Sequence, residues 1–293
     1  MKRYLYLLVI PLFWSCEKNI TIDLKDPGKR LVVEATIENE GQPTVFLSNS
    51  LDFFGKISPE VLQNSFVHDA IVDISDGTNN HRLKEFNYTN DSGNVIYYYS
   101  NNPSDPIGPL IGKLQTNYSL NIQTAGKNYQ SSTTIPSITR QIDSIWWEPV
   151  KNIPDSNKVK VIVRATDKKG YGDYIRYFTK TNDGPFLPGF TSVYDDQVID
   201  GTTYTVPVDK GADRNTPRKD TDAFFDRGDH VILKLCNIDK ATYDFWRTFE
   251  FSFQSIGNPF SSPTKVTGNI TNGALGYFGG YASQFRDLTI PPR

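Results

Sequence analysis

Hydrophobic and polar positions alternate with a period of two along much of this chain. In residues 118–124, Tyr118, Leu120 and Ile122 fall on one side and Ser119, Asn121 and Gln123 on the other, the pattern of a strand with one buried face. Residues 31–37, 43–47, 70–75 (ahead of the turn pair Asp76-Gly77) and 95–99 carry the same β-branched and aromatic bias. Residues 20–24 alternate ahead of the turn signal Asp26-Pro27-Gly28. Residues 51–63 break the pattern, with Pro59 and Glu60 opening a short turn of helix. After Pro136 and the polar run 137–141 a second set begins: a strand at 145–147, one at 159–165, its expected partner at 174–179 after Gly170 and Gly172, and an apolar run at 231–236. One segment changes period. Asp239 is placed to cap a helix over 240–254, with Tyr243, Trp246, Phe249 or Glu250, and Phe253 recurring along one face.

These spacings predict a mainly β protein of two β-sandwich-like domains, the first Ig-like or transthyretin-like, with one short helix packed on the second. Residues 31–134 form the expected N-terminal sandwich and residues 135–293 a C-terminal β-rich domain carrying the helix near 240–254. No repeat or heptad runs through the chain, which excludes solenoids and coiled coils. Composition agrees: 13% aromatic residues and a single Met suit strands, and 38% hydrophobic residues exclude a disordered chain. Lys+Arg 31 against Asp+Glu 33, scattered along the chain, leaves no basic surface for nucleic acid.

The N-terminus belongs outside the fold. Lys2 and Arg3 precede an uncharged run over residues 4–14 that ends at Ser15 and Cys16. That run is too short for a membrane-spanning helix, which takes ~20 residues, so residues 1–15 read as a lipoprotein signal peptide. Phe13-Trp14-Ser15-Cys16 resembles a bacterial lipobox, whose cysteine is acylated and becomes the mature N-terminus, although Phe13 and Trp14 are bulkier than the usual residues there. On this reading Cys16 is the lipidation site and residues 16–30 a lipidated tether that holds the protein to a membrane through acyl chains such as palmitate. Cleavage removes two cations and no acid, which moves the formal charge from -2 to -4; the acyl chains, not the body's charge, must supply the membrane affinity. Cys236 is then the one thiol left, too few for an intramolecular disulfide, and its place in the apolar run makes it a small buried residue.

The order of several short segments resembles a family. Behind the lipobox cysteine come Leu31-Val32-Val33-Glu34-Ala35-Thr36-Ile37, Ala70-Ile71-Val72-Asp73-Ile74-Ser75-Asp76-Gly77, Tyr118-Ser119-Leu120-Asn121-Ile122 and Ile142-Asp143-Ser144-Ile145. Residues 259–263, Gly268-Asn269-Ile270 and Leu275-Gly276-Tyr277-Phe278 complete the set. Together they resemble the DUF4249 proteins, lipoproteins of Bacteroidota, over nearly the whole mature chain. Ala35, where that family tends to have Gly, and the short Gly273-Ala274 approach to Leu275 depart from it. The resemblance implies an outer-membrane address, on the periplasmic face or the cell surface, genes often found beside TonB-dependent transporters, and no established activity.

Motifs of catalysis are missing from the sequence. His68, His81 and His230 are widely spaced with no HExxH pattern or paired cysteines, so no metal site is expected of them. There is no GxSxG elbow, no phosphate-binding GxxxxGK[ST] loop and no GxGxxG. No catalytic residue and no cofactor are expected. Aspartates 209, 213, 220, 222, 226 and 229, mixed with Lys210, Arg214 and Arg227, read as a solvated loop, with Ca²⁺ binding as the lesser reading. Aromatic clusters at 97–99, 146–147 and 277–281 offer surfaces on which sugar rings stack, half of each turned into the core because strand neighbours face opposite ways. From them Tyr98, Trp146, Trp147 and Tyr281 are the candidate ligand-binding residues. The expected function is a non-enzymatic outer-membrane lipoprotein acting as a binding or accessory subunit of a TonB-dependent transporter through loops 183–203 and 209–229. The alternative is a ligand-capture module for a glycan or peptide in nutrient uptake. A concave aromatic cleft would favour capture; a broad apolar patch with a polar rim would favour a partner subunit.

Overall fold

The computed structural model describes residues 28–51, 58–90, 92–151, 153, 157–214, 216–217, 219–258, 261 and 264–293. The expected signal peptide, Cys16, the strand at 20–24 and most of residues 259–263 lie outside them. The fold is mainly β, as the alternation predicts. The first half contains β1 (Leu31–Glu38), β2 (Thr44–Asn49), the short helix α1 (Pro59–Gln63), β3 (Ile71–Ser75), β4 (Asn80–Thr89), β5 (Val95–Asn101), β6 (Thr116–Thr124) and β7 (Lys127–Ile135). The second contains β8 (Arg140–Pro149), β9 (Lys158–Asp167), β10 (Tyr174–Thr181), β11 (Leu187–Tyr194), β12 (Thr203–Val208), β13 (Phe225–Asp226), β14 (His230–Ile238), α2 (Lys240–Gln254) and β15 (Leu275–Thr289).

Eleven strands form one sheet in the order β11-β10-β14-β15-β1-β2-β5-β4-β3-β6-β7. The last strand makes it continuous across residue 135, where a domain boundary was expected. The first part of β15 pairs parallel with β1, from Val32–Leu275 to Glu38–Tyr281, and its second part pairs antiparallel with β14, from Ile238–Tyr281 to His230–Thr289. Two glycines permit this. A Cβ at Gly276, where φ is 99°, would sit 1.8 Å from the Val33 carbonyl oxygen, and one at Gly280 would sit 2.5 Å from that of Thr134 on β7. Asn269 completes the seam: its side chain donates to the Phe278 carbonyl at 2.8 Å and accepts from the Phe278 N–H at 2.8 Å. The segments 268–270 and 275–278, which carry the family resemblance, are the ones that weave the C-terminus into the N-terminal half.

A second sheet holds β12, β9, β13 and β8. The expected pairing of 159–165 with 174–179 is therefore corrected: β9 pairs with β8 and β12, whereas β10 pairs with β11 and β14. Their apolar faces meet across an interior, where Val163 of β9 shares a cluster with Ile175, Tyr177, Leu233 and Leu235. Residues 209–229 are also more than a solvated loop, because Phe225 on β13 is wholly buried beside Val159 and Val161. Helix α2 begins where the cap predicts, with Asp239 accepting from the Thr242 N–H at 2.8 Å. It lies on the large sheet through Tyr243, Phe245, Trp246 and Phe249, which pack on Tyr277 and Tyr281.

Candidate ligand-binding cleft

Between the two sheets of the second half the side chains do not meet everywhere. A cleft of about 700 Å³ remains, within the range of small-molecule sites. One wall is β9 and β12, through Val163, Ala165, Tyr204, Val206 and Val208; the other is β10, β11 and β14, through Ile175, Tyr177, Val193, Leu233 and Leu235. Period-two alternation explains most of both walls: Val163 and Ala165, Ile175 and Tyr177, Tyr204, Val206 and Val208, and Leu233 and Leu235 are each spaced by two. Helix α2 supplies Tyr243, Arg247, Glu250, Phe251 and Gln254. At the mouth Tyr194, Val198, Val206 and Phe251 are all exposed, an apolar rim that is costly to leave in water.

Polar groups stand at fixed points around this apolar space. Glu250, only 3% exposed, accepts from the Ser192 N–H at 3.0 Å, the Ser192 hydroxyl at 2.5 Å and Arg214 Nη2 at 2.7 Å. Tyr243 donates to Asp195 at 3.0 Å, and Arg247 Nη1 donates to Tyr243 at 3.0 Å. Burial raises the phenol pKa of Tyr177, Tyr194, Tyr204 and Tyr243, and the charges of Asp209 and Glu250 add to the rise at Tyr177 and Tyr194. Arg140, also on the lining, is wholly buried, donates through Nε to Asp167 at 3.0 Å, and has the Tyr204 ring centroid 5.9 Å from its guanidinium carbon.

Behind Arg140, Asp167, Asp173 and Asp196 bring carboxylate oxygens within 4.8 Å of one another, among the described residues the one group of three with metal-ligand atoms so close. Protein donors already occupy all three, Thr139 on Asp173 among them. Asp196 accepts from the Gly172 and Asp173 N–H groups at 2.9 and 3.1 Å, and Asp167 from Arg140 and, at 3.3 Å, from the Gly201 N–H. Desolvation raises the Asp173 carboxyl pKa; Asp167 and Asp196 raise it further, against the opposing Thr139 hydrogen bond and Arg140 charge. The trio is a polar closure held by backbone amides. The aspartates of 209–229 go elsewhere: Asp226 pairs with Lys158, Asp229 with Lys210, and Asp222 accepts from the Lys219 N–H. The three histidines stand apart, each beside a different carboxylate: His68 with Glu85, His81 with Asp105 and His230 with Asp287.

None of the four aromatic residues expected to bind ligand lines the cleft. Tyr98 is half-buried among Phe46, Phe86 and Tyr88, 5.9 to 6.0 Å away between ring centroids. Trp146 donates to Glu148, and Trp147 packs toward the Phe225 cluster with the Arg227 guanidinium over its ring at 4.6 Å. Tyr281 is buried under α2, accepting from Trp246 Nε1 at 3.0 Å and Arg176 Nη1 at 3.2 Å. The cleft residues that sequence reasoning passed over, Tyr177, Tyr194 and Tyr204, lie on strands. Tyr204, Val206 and Val208 alternate in a readable pattern, and Pro207 marks β12 as an edge strand. Arg140 sat in the polar run read as a separator, where nothing in its neighbours announces burial.

The proposed transporter-facing loops are also placed. Much of 183–203 is strand β11, which lines the cleft. In 209–229, Gly211 N–H donates to Thr179 and Arg214 pairs with buried Glu250. Among curated proteins, none matches the chain. The family model described as "Domain of unknown function (DUF4249)" matches residues 17–286, and the chain belongs to that family.

Proposed function

We propose that this DUF4249 chain is a membrane-tethered, non-catalytic capture protein that holds a small, largely apolar ligand between its two sheets. The observation that carries this reading is the cleft of about 700 Å³ with valine, leucine and tyrosine walls and an exposed apolar mouth. The capture alternative gains over the partner-subunit reading because a concave aromatic cleft is what separates the two. Its ligand changes too: a glycan needs many hydrogen bonds along its length, and aliphatic walls leave those groups unpaired at a cost. Cys16, outside the described residues, remains the proposed acylation site and outer-membrane anchor. Association with a TonB-dependent transporter remains the partner that the family resemblance implies, and a captured ligand gives such a transporter something to receive.

An apolar fluorescent dye whose emission rises on leaving water tests the reading. It is expected to bind the mature chain at one site, and Val206→Trp, which blocks the exposed mouth of the cleft, should abolish that binding while the melting temperature holds. Equal dye binding by the blocked variant would overturn the assignment. In cells, Cys16→Ala should release the protein from membranes; retention after a high-salt wash would count against the acyl anchor.

A further inference from the structure

Arg140 exposes none of its surface, yet Nη1 and Nη2 have no hydrogen-bond partner among the described residues. Only Nε is used, on Asp167. Charged donors buried without a partner are costly, and an acceptor that reached them would remove that cost.

The surrounding charges decide what that acceptor is. The Arg140–Asp167 pair is neutral as a unit, and Asp173 and Asp196 add carboxylates within 4.8 Å of Asp167. Along the cleft Glu250 is paired with Arg214, and Asp195 and Asp209 stand against Arg247. A second anion brought to Arg140 would enter a field that is already negative. The raised pKa of Tyr177 and Tyr194, to which burial, Asp209 and Glu250 contribute, reports the same resistance to negative charge. An ammonium end group would meet the guanidinium itself. An uncharged oxygen pairs with the donors and escapes both penalties.

We propose, resting on the capture reading, that the cleft takes a neutral amphiphile whose carbonyl oxygen, as in an ester or amide, accepts from Arg140 Nη1 or Nη2 while its aliphatic body lies along Val163, Ile175, Val206 and Leu235. The Tyr204 ring, over the guanidinium at 5.9 Å, turns aside to admit the carbonyl. Tyr204 is on an edge strand and only partly buried, which leaves it room to do so.

The test uses the mature chain and four probes with one apolar body: methyl octanoate, octanoate, octylamine and octane, each displacing the cleft-bound dye. Methyl octanoate should bind at least about tenfold tighter than octane, the value of a hydrogen bond to a charged group, and tighter than either charged probe. Octanoate or octylamine equal to or tighter than the ester would overturn the ligand class and leave the capture reading standing. Octane equal to the ester would show that Arg140 is already satisfied by water. If the dye binds and no probe displaces it, the inference fails alone; if the dye does not bind either, the capture reading fails with it. Arg140→Met should erase the preference of ester over octane, and the wild-type series decides the matter where that variant fails to fold.

Discussion

The two halves of this chain use the same alternation and arrive at different interiors. In the first, inward residues of β1, β2, β3, β6 and β7 meet in one continuous cluster, in which Val33, Ala35, Val45, Val72, Ile74, Ile122 and Ile135 have at most traces of exposure. In the second, the inward residues divide among three smaller clusters, and the space between β9–β12 and β10–β14 is only partly filled. Alternation states which face turns inward and is silent on whether the facing sheet comes close enough to fill the gap. In the first half β15 stitches the sheet to β1 and β7 at van der Waals distance through glycine. In the second, polar groups sit at the margins of the gap, where Asp195 and Glu250 keep their own partners, and apolar collapse onto them is opposed.

The comparison breaks most visibly where the filled interior is emptied. Phe278 has no exposed surface and sits in the first cluster, on the strand that joins the halves. Phe278→Ala is expected to cost ~3 to 5 kcal/mol, seen as a lowered urea midpoint for the whole chain. A loss within error would mean that the seam is loosely packed.

Opposite substitutions sharpen the contrast. Ala35 and Ala165 are both almost wholly buried, at 0% and 1%, yet Ala35 faces the closed cluster and Ala165 the cleft. Ala35→Leu should destabilise by ~1 to 3 kcal/mol through overpacking. Ala165→Leu, against an interior that is only partly filled, should destabilise less than Ala35→Leu while weakening dye binding. Equal destabilisation at the two sites would show that the second interior is as closed as the first.

How much of this was readable follows from what each strand points inward. Strands β1, β3, β6 and β14 announce themselves with Val, Leu and Ile at every second position, and α2 with a cap and a helical aromatic stripe. Strand β7 hides, because two of its inward residues are Ser131 and Thr133. Their hydroxyls are used across the fold: Ser131 donates to the Asn269 carbonyl, Thr133 donates to Asp239 and accepts from the Gly280 N–H. Strand β4 turns His81 and Leu83 inward and then loses the alternation, with Glu85 and Phe86 both half-buried and residues 87–89 exposed. The cleft was illegible for a different reason: it is a gap between strands far apart in sequence, and its buried cation lies in a stretch whose neighbours are polar. Adjacent aromatic residues do not mark the cleft either: Tyr194 and Tyr204 come singly, and of the pair Tyr177-Phe178 only Tyr177 lines it.

The smallest expected effect lies at the polar closure behind the cleft. Asp173 has its carboxyl pKa raised in the folded chain, first by desolvation and then by Asp167 and Asp196. Between the ordinary carboxylate range and that raised value the folded state binds more protons than the unfolded state, so this group's contribution to stability falls as pH rises through the window and stays low above it. Asp173→Asn removes the titration and the like charge while retaining an oxygen for the Thr139 hydrogen bond. The variant should therefore melt above wild type at neutral pH, and its advantage should shrink as pH falls below the ordinary carboxylate range, because wild-type Asp173 is then protonated in both states. Thermal melts of the two proteins across that interval give the difference curve, from which acids that do not interact with Asp173 cancel. A difference independent of pH would place the cause in packing, and a variant less stable at neutral pH would mean that the Asp173 charge is needed to hold Thr139 and the loop at the closed end of the cleft.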